Sequence, residues 1–470
     1  MEPGQVTVRE VTLDEAISFA ILLQQNEQFA DAETLYGRIF DVAPDHPKAL
    51  HYFGVLAHQQ GRSDEAIRLV EKSLALQPDQ ADWFSNLGII FQDQGKLDDA
   101  IGAYGRAISL NPNQPNAYSN LGVLLRAQGK PVEAEAAYRT AIRLDPGHVE
   151  AYTNLGTLLV GLKRFVEAAT CYNKAITLKP KHPSARKLLA LAHCGLGELD
   201  EAVKIFKEWL EEEPENPVAR HLLAACSGLG VPVRASDGFI EETFDSFAAS
   251  FESKLAQLSY RAPALVAAML AGSTVAPSKS LSVLDAGCGT GLCGELVAPF
   301  ARRLIGVDLS RGMLVQAKKK NVYDALVQAE LTAFLRGCDQ AFDVIVSADT
   351  LVYFGALEDV IAAAAAALRP EGSLIFTLEE ATGVEAVTDY RLKPHGRYCH
   401  TQGYVERLLA ETGLSAEAER AELRMEVGVQ VAGLVVRARK PASSCVTADS
   451  RKVAAGDDMH AERMVGEHHA

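Results

Sequence analysis

The chain has 470 residues, 48% hydrophobic and 23% charged, a length that exceeds one ordinary core and asks for two or three domains. Its formal net charge of -15 suits a soluble protein and argues against a general nucleic-acid or membrane-surface binder. No basic start leads into an apolar run, the longest apolar stretch (361–368) is too short to span a bilayer, and the eight cysteines form no C-x-x-C pair. The expectation is therefore a cytoplasmic chain without signal, membrane segment or metal centre.

After an N-terminal extension, 1–12, prolines stand at Pro44, Pro78, Pro112, Pro146, Pro180 and Pro214, each 34 residues after the last. Ala32, Ala66, Ala100, Ala134, Ala168 and Ala202 keep the same register, as do Gly54, Gly88, Gly122 and Gly156. An aromatic follows the alanine by one helical turn at Tyr36, Tyr104, Tyr138, Tyr172 and Phe206, with Val70 as the exception. The spacing predicts two antiparallel helices per repeat. Small residues let the helices approach closely, because a larger side chain would hold the axes apart. Gly61, Gly95, Gly129 and Gly197 end the first helix of a pair, where glycine takes the left-handed backbone. The proline ends the second helix, since it lacks the N–H and restricts its predecessor. Five pairs fill 13–181, a sixth follows, and its continuation past Pro214 is expected to cap the array.

This pattern resembles the tetratricopeptide repeat family over 13–227, which implies an α-solenoid whose pairs bury their apolar faces by stacking. Asn86, Asn120 and Asn154 share one register on the first helices, which in this family line a groove. A column of amides either binds the backbone of an extended protein or peptide partner, donating and accepting at once, or bonds only between neighbouring repeats.

Residues 228–238 are rich in glycine, proline and serine and break the register, which places a linker there. Beyond it, in 239–440, short apolar runs alternate with helical stretches, the pattern of an α/β domain. Strands are predicted over 281–285, ending at 308, over 325–328, 342–347, 373–378, and near 415–423 and 427–436, with helices over 312–320, 357–368 and 403–411. Seven strands fit a doubly wound, Rossmann-like sheet, whose ligand belongs where the strand order reverses. The tail, 441–470, has few apolar residues and no periodicity and is expected to be disordered.

The turn after the first of these strands is Asp285-Ala-Gly-Cys-Gly-Thr-Gly291. Alternating glycines let the backbone fold tightly and approach a ligand. The third glycine comes two residues after the second, unlike the dinucleotide fingerprint, where it comes three after. Asp308 follows at the spacing where a carboxylate meets ribose hydroxyls. The string Val-Leu-Asp-Ala-Gly-Cys-Gly-Thr-Gly resembles the first motif of class I methyltransferases. That resemblance implies S-adenosylmethionine as cofactor, held by Asp285, Gly287, Cys288, Gly289 and Gly291. It gives Asp308 and Leu309 to the ribose, Met313 to the apolar face of the adenine, and Glu330 and Leu331 to its edge, with glutamate where the family often has aspartate. Ser347 falls near the methionine end. The stretch 242–252 is similar to an N-terminal helix that closes over the cofactor. Phe247 on it, flanked by Phe244 and Phe251 at helical spacing, serves either as cover or as plain packing.

Methyl transfer needs an oriented nucleophile and, where that nucleophile carries a proton, a base. Asp349 and Tyr353 stand just beyond the fourth strand. His395, Arg397, Tyr398 and His400 form a polar aromatic cluster in the next loop. Arg397 is the candidate clamp for a carboxylate or phosphate, His400 the candidate base, and Tyr398 its companion. No Asn-Pro-Pro-Tyr string follows the fourth strand, against the amino-methyltransferases of DNA bases or glutamine. The whole chain resembles methyltransferases that carry tetratricopeptide repeats. Three readings stay open: an enzyme whose repeats recruit a protein, a small-molecule methyltransferase whose repeats serve assembly only, and a non-catalytic cofactor-binding scaffold.

Overall fold

The computed structural model describes residues 11–182, 184–256, 258–272, 279–426 and 429–442. Most of the N-terminal extension and, from 443 on, the tail expected to be disordered lie outside the described residues. Contacts divide the described chain into two units, 11–159 with 170–182, and 160–169 with 184–442.

The first unit is built from antiparallel helix pairs: α1 (Leu13–Gln25) with α2 (Phe29–Val42), α3 (Pro47–Gln59) with α4 (Ser63–Leu76), α5 (Ala81–Asp93) with α6 (Leu97–Leu110), and α7 (Pro115–Ala127) with α8 (Pro131–Leu144). A fifth pair is α9 (Val149–Gly161) with α10 (Phe165–Leu178). Thr12 and Glu15 form a capping box that starts α1. Gly61, Gly95 and Gly129 follow the first helices with φ of 81°, 72° and 72°, the left-handed stop that the sequence predicts. The register of small residues and aromatics has a direct steric cause. A Cβ on Gly88, Gly122 or Gly156 would come within 2.7, 2.6 and 2.6 Å of the rings of Tyr104, Tyr138 and Tyr172, which are wholly buried. Each glycine on a first helix thus makes room for the ring on the second helix of its own pair. At Gly54 the buried partner is Val70, 2.8 Å from such a Cβ, so the exception to the aromatic pattern keeps the same contact with a smaller side chain.

The second unit opens with α11 (Ala185–Leu196), α12 (Leu199–Glu212) and α13 (Pro217–Ser227). The expectation that the segment after Pro214 caps the array needs correcting. Helix α13 is buried on several sides, because Ala219, Leu222 and Cys226 share one core with Phe206 and Trp209 of α12 and with Phe239 of α14 (Asp237–Asp245). Nor is the strip between them free chain: the amides of Gly355 and Ala356 donate to the carbonyl of Val233 at 2.8 and 2.9 Å, and Ala235 N–H donates to Tyr353 O at 2.8 Å.

Next come α15 (Phe251–Ala256), α16 (Ala262–Ala271) and the α/β core. Its strands are β1 (Leu281–Ala286), β2 (Ala301–Asp308), β3 (Ala325–Gln328), β4 (Phe342–Ser347), β5 (Leu368–Glu380), β6 (Tyr390–Leu392), β7 (Tyr398–His400), β8 (Ser415–Glu426) and β9 (Val429–Arg439). The helices are α17 (Leu292–Val297), α18 (Arg311–Lys319), α19 (Leu331–Arg336), α20 (Glu358–Ala367) and α21 (Gln402–Glu411). β3, β2, β1, β4 and β5 lie side by side in that order, all parallel, and the antiparallel pair β9–β8 continues beyond β5. The chain winds outward from β1 in both directions, so the order reverses between β1 and β4. Burial on both faces explains why these strands read as continuous apolar runs. All seven expected strands are present, the last with its first two expected residues outside the described ones. Among the described residues the sheet has nine, because the loop read as a connection folds into the short hairpin β6–β7.

Candidate functional site

A cavity of about 330 Å³ opens where the order reverses, against the carboxyl ends of β1, β2 and β4. The turn after β1 forms its floor. Gly287, Gly289 and Gly291 have φ of 73°, 55° and 90°, a backbone that only glycine takes freely. A Cβ on Gly287 would fall 2.1 Å from Thr350 Oγ1, whose hydroxyl donates to the Gly287 carbonyl. Among the described residues, a Cβ on Gly289 would meet no atom closer than Phe251, at 4.0 Å, so it would project into the cavity that this residue lines. Gly291 does not face the cavity: it starts α17 and lies against Tyr323 and Lys320.

Of the other residues matched to the cofactor, Cys288, Asp308, Leu309, Met313, Glu330, Leu331 and Phe247 line the cavity. Asp308 is fixed by two backbone donors, Gly289 N–H at 2.8 Å and Ser310 N–H at 2.9 Å. Burial outweighs these bonds and pushes its pKa up. Glu330 caps α19, accepting from Thr332 and Ala333 N–H at 3.0 and 2.8 Å. Two residues do not reach the cavity. Asp285 lies beneath the turn, 1% exposed, with Tyr323 OH donating to it at 2.7 Å; burial raises its pKa to about 7. Ser347 is 1% exposed and spends its hydroxyl on the Ala286 carbonyl at 3.0 Å. Both brace β1 and do not face a ligand.

The cover differs from the single helix expected over 242–252. Helix α14 stops at Asp245, a short 3-10 turn (Ala248–Ser250) follows, and α15 starts at Phe251. The break lets Asp245 turn toward α18, where it accepts from Gly312 N–H at 2.9 Å and from the Ser310 hydroxyl. Phe244, Phe247 and Phe251 all line the cavity, with ring centroids 5.7 Å (Phe244–Phe247) and 5.8 Å (Phe247–Phe251) apart.

The candidates for chemistry divide. His400 is wholly buried and its Nε2 lies 3.0 Å from the Gly355 carbonyl. Tyr398 is wholly buried too, donating to Pro232 O at 2.6 Å. Neither lines the cavity, and both are corrected to struts of the β6–β7 hairpin: alternation along β7 turns them away from the site. Asp349, Tyr353 and Arg397 do line it. Arg397 is not a free clamp, since its Nε donates to Glu379 at 2.7 Å and its Nη2 bonds Glu426. Burial alone would raise the pKa of Glu379, but Arg397, His395 and Arg424 bring it down to about 2. Arg424 and Glu426 on β8 also wall the cavity, and the sequence reading missed them because it ended that strand at 423. Their signal was two charged residues at alternate positions of a late strand, facing one side. In the repeats, Asn86, Asn120 and Asn154 are half-buried, and Asn86 Nδ2 lies 3.0 Å from His51 Nε2 of the preceding pair.

Among the described residues, no helix is long and apolar enough to cross a membrane, and no group of three or more His, Cys, Asp or Glu is placed to hold a metal ion.

Comparison with known proteins finds two kinds of sequence along the chain. A methyltransferase-domain model matches 283–372, and tetratricopeptide-repeat models match 17–81, 85–149, 125–192 and 159–226. Methyltransferase-like protein 27 of Homo sapiens is 42% identical over 84 residues, 18% of this chain and 34% of that protein. Malonyl-(acyl-carrier protein) O-methyltransferase of Priestia megaterium is 33% identical over 104 residues, 21% of this chain and 37% of that enzyme. The chain thus spans only about a third of the length of these curated relatives. Among solved structures, the MamA protein is 30% identical with a TM-score of 0.34, covering 36% of this chain and 93% of that one. The chain is a tetratricopeptide-repeat protein with a methyltransferase domain.

Proposed function

We propose that this chain transfers a methyl group from S-adenosylmethionine to an acceptor, and that its repeats, 13–227, bring a protein or peptide partner to the domain at 239–440. The observation that carries the reading is the open space before Gly289 in a turn that Asp308 closes from the next strand. Bound there, the cofactor would supply a methyl group on a sulfonium, an electrophile with its own leaving group. The chain's residues bind and orient. The Gly287–Gly289 backbone admits a ligand at close range, Asp308 keeps lone pairs for a vicinal diol, Met313 offers an apolar face, and Glu330 and Leu331 border the far end. Phe247 and Phe251 exclude water from above. The free thiols fit a cytoplasmic setting.

In Gly289→Val the new Cβ meets no described atom closer than 4.0 Å but the backbone at φ 55° is strained, so folding is checked by circular dichroism and S-adenosylmethionine binding is expected to be lost in calorimetry; Asp308→Ala is expected to lose it as well. Wild-type affinity in both overturns the reading. A second reading, in which the repeats serve assembly only, is favoured by one contact: the amide of Asn86 is already engaged by His51. Replacing Asn86, Asn120 and Asn154 with alanine decides between the two. Weaker partner capture by an array that still folds supports recruitment, and unchanged capture supports assembly. Methyl transfer from labelled cofactor into lysate, separated by molecular weight, reports independently on whether the acceptor is a protein.

A further inference from the structure

The charged side chains around the cavity form two sets, one on each side of the β1 turn. Asp308 and Glu330 lie toward β2 and β3. Asp349, Arg397, Arg424 and Glu426 lie toward β4, β5 and β8, with Glu379 of β5 behind them. In the second set nearly every charge is matched by a neighbour. Glu379 accepts Arg397 Nε at 2.7 Å and bonds Arg424; Glu426 accepts Arg424 Nε at 2.7 Å and bonds Arg397. Two guanidiniums and two glutamates therefore close a neutral ring of ion pairs. Farther back, Lys393 sits 3.3 Å from Glu385 and 3.7 Å from Glu379, one cation shared by two carboxylates, and burial holds the His395 imidazole down to about 4, neutral at pH 7. Among the described residues, Arg234 is the remaining cation on the wall, and it pairs with Asp237 at 2.7 Å.

Asp349 is left over. Its Oδ2 accepts Arg424 Nη1 at 2.6 Å, but Arg424 is already balanced by the two glutamates. Its Oδ1 is buried and has no partner among the described residues. The backbone here is strained as well: Asp349 has φ 59°, and its N–H is held by Thr377 Oγ1 at 2.9 Å. A strained residue that keeps one carboxylate oxygen bare, beside a cavity and in excess over the local cations, is unfavourable on its own and is relieved by a bound donor that carries positive charge. Aromatic rings complete the environment. Tyr260 and Tyr353 line the same end, and Tyr353 meets Phe244 edge-on at 5.5 Å between centroids. Such rings favour a cation.

We infer that the acceptor is an amine, entering as an ammonium that donates an N–H to Asp349 Oδ1 with its body against Tyr260, Tyr353 and Phe244. The inference rests on the methyl-transfer reading above and makes Asp349 a catalytic residue. A carboxylate acceptor fits poorly, because both guanidiniums are neutralised and Asp349 repels it. In the step, the ammonium gives one proton to Asp349 Oδ1. The nitrogen lone pair so freed forms the N–CH3 bond as the S–CH3 bond breaks, and that electron pair stays on sulfur. The methylated nitrogen leaves as an ammonium, and the proton on Asp349 passes to solvent.

The test is calorimetry on the full chain, saturated with S-adenosylhomocysteine and titrated with matched probes: benzylamine, benzyl alcohol and benzoate, then propylamine, propanol and propionate. The expected result is saturable binding of at least one amine, about tenfold or more tighter than its alcohol and carboxylate counterparts, as one charge-assisted hydrogen bond implies. Asp349→Asn keeps an oxygen for Arg424 and is expected to erase that preference, with S-adenosylhomocysteine affinity unchanged as the sign that the domain is intact. No saturating amine, a carboxylate that binds as tightly as its amine, or a preference that survives in Asp349→Asn overturns the inference and leaves the cofactor reading standing. If S-adenosylhomocysteine itself fails to bind, the cofactor reading falls and this inference falls with it.

Discussion

Glycine serves the repeats and the α/β domain in different ways. In the repeats, Gly88, Gly122 and Gly156 sit within helices, and each gives up its side chain so that a tyrosine on the next helix can fill the space. In the turn after β1, Gly287 makes room for Thr350, which follows the carboxyl end of β4, while the space before Gly289 is left open. A small residue whose missing side chain is replaced by a neighbour's ring is there for packing. A glycine at positive φ that faces open solvent, as Gly61, Gly95 and Gly129 do, is a helix stop; Gly289 differs in that the open space before it is the cavity. The charged residues divide in the same way: those on the repeat helices sit on solvated faces, whereas Glu379 and Arg424 are almost wholly buried and must satisfy one another.

This contrast can be broken by experiment. Gly287→Ala carries the largest effect: the added methyl has no room beside Thr350, the turn must move, and S-adenosylmethionine binding is expected to vanish in calorimetry. Wild-type affinity in that variant means the turn is not the cradle. Arg424→Met leaves Glu379 and Asp349 short of a cation and is expected to lower the unfolding free energy by about 3–5 kcal/mol, read from the urea midpoint. A loss under about 1 kcal/mol shows instead that Arg397 alone holds the cluster. Gly122→Val overpacks the Tyr138 contact and is expected to lower stability by about 1–3 kcal/mol while leaving cofactor affinity unchanged. A matching drop in cofactor affinity contradicts the separation of packing glycines from ligand glycines. His221→Ala is the mildest. It removes a 2.9 Å contact with the Gly396 carbonyl and a ring packed 3.9 Å from Phe239, for a loss of about 1 kcal/mol. If that variant is neutral in the same denaturation, α13 contributes little to the sheet half.

The repeat helices, their glycine stops and their tyrosine contacts were legible because each depends on residues within about one repeat length of each other. The glycine turn and Asp308 were legible for a similar reason, as one strand–turn–helix unit and the next strand carry them both. The misreadings share one cause. His400 and Tyr398 belong to a loop rich in residues suited to chemistry, but the β6–β7 pairing decided which way they face. The expected helix over 242–252 is interrupted after Asp245, which bonds the start of α18, 67 residues later. Helix α13 follows the repeat register, yet its outer face met Phe239 and the Gly396 turn and was buried.

By itself the sequence determined the helical array, the parallel sheet, the place of the ligand turn and the carboxylate that closes it, since periodicity and short-range spacing encode local geometry. Only the tertiary structure decided which side chains wall the cavity. Asp349, Arg397 and Glu426 come from three separate stretches of chain, with Glu379 from a fourth behind them, and whether a buried charge is balanced or left over is a sum over neighbours that no single stretch contains. The Gly289 turn leaves open space at one end of the cavity; the unbalanced oxygen of Asp349 becomes visible only once those stretches are folded together.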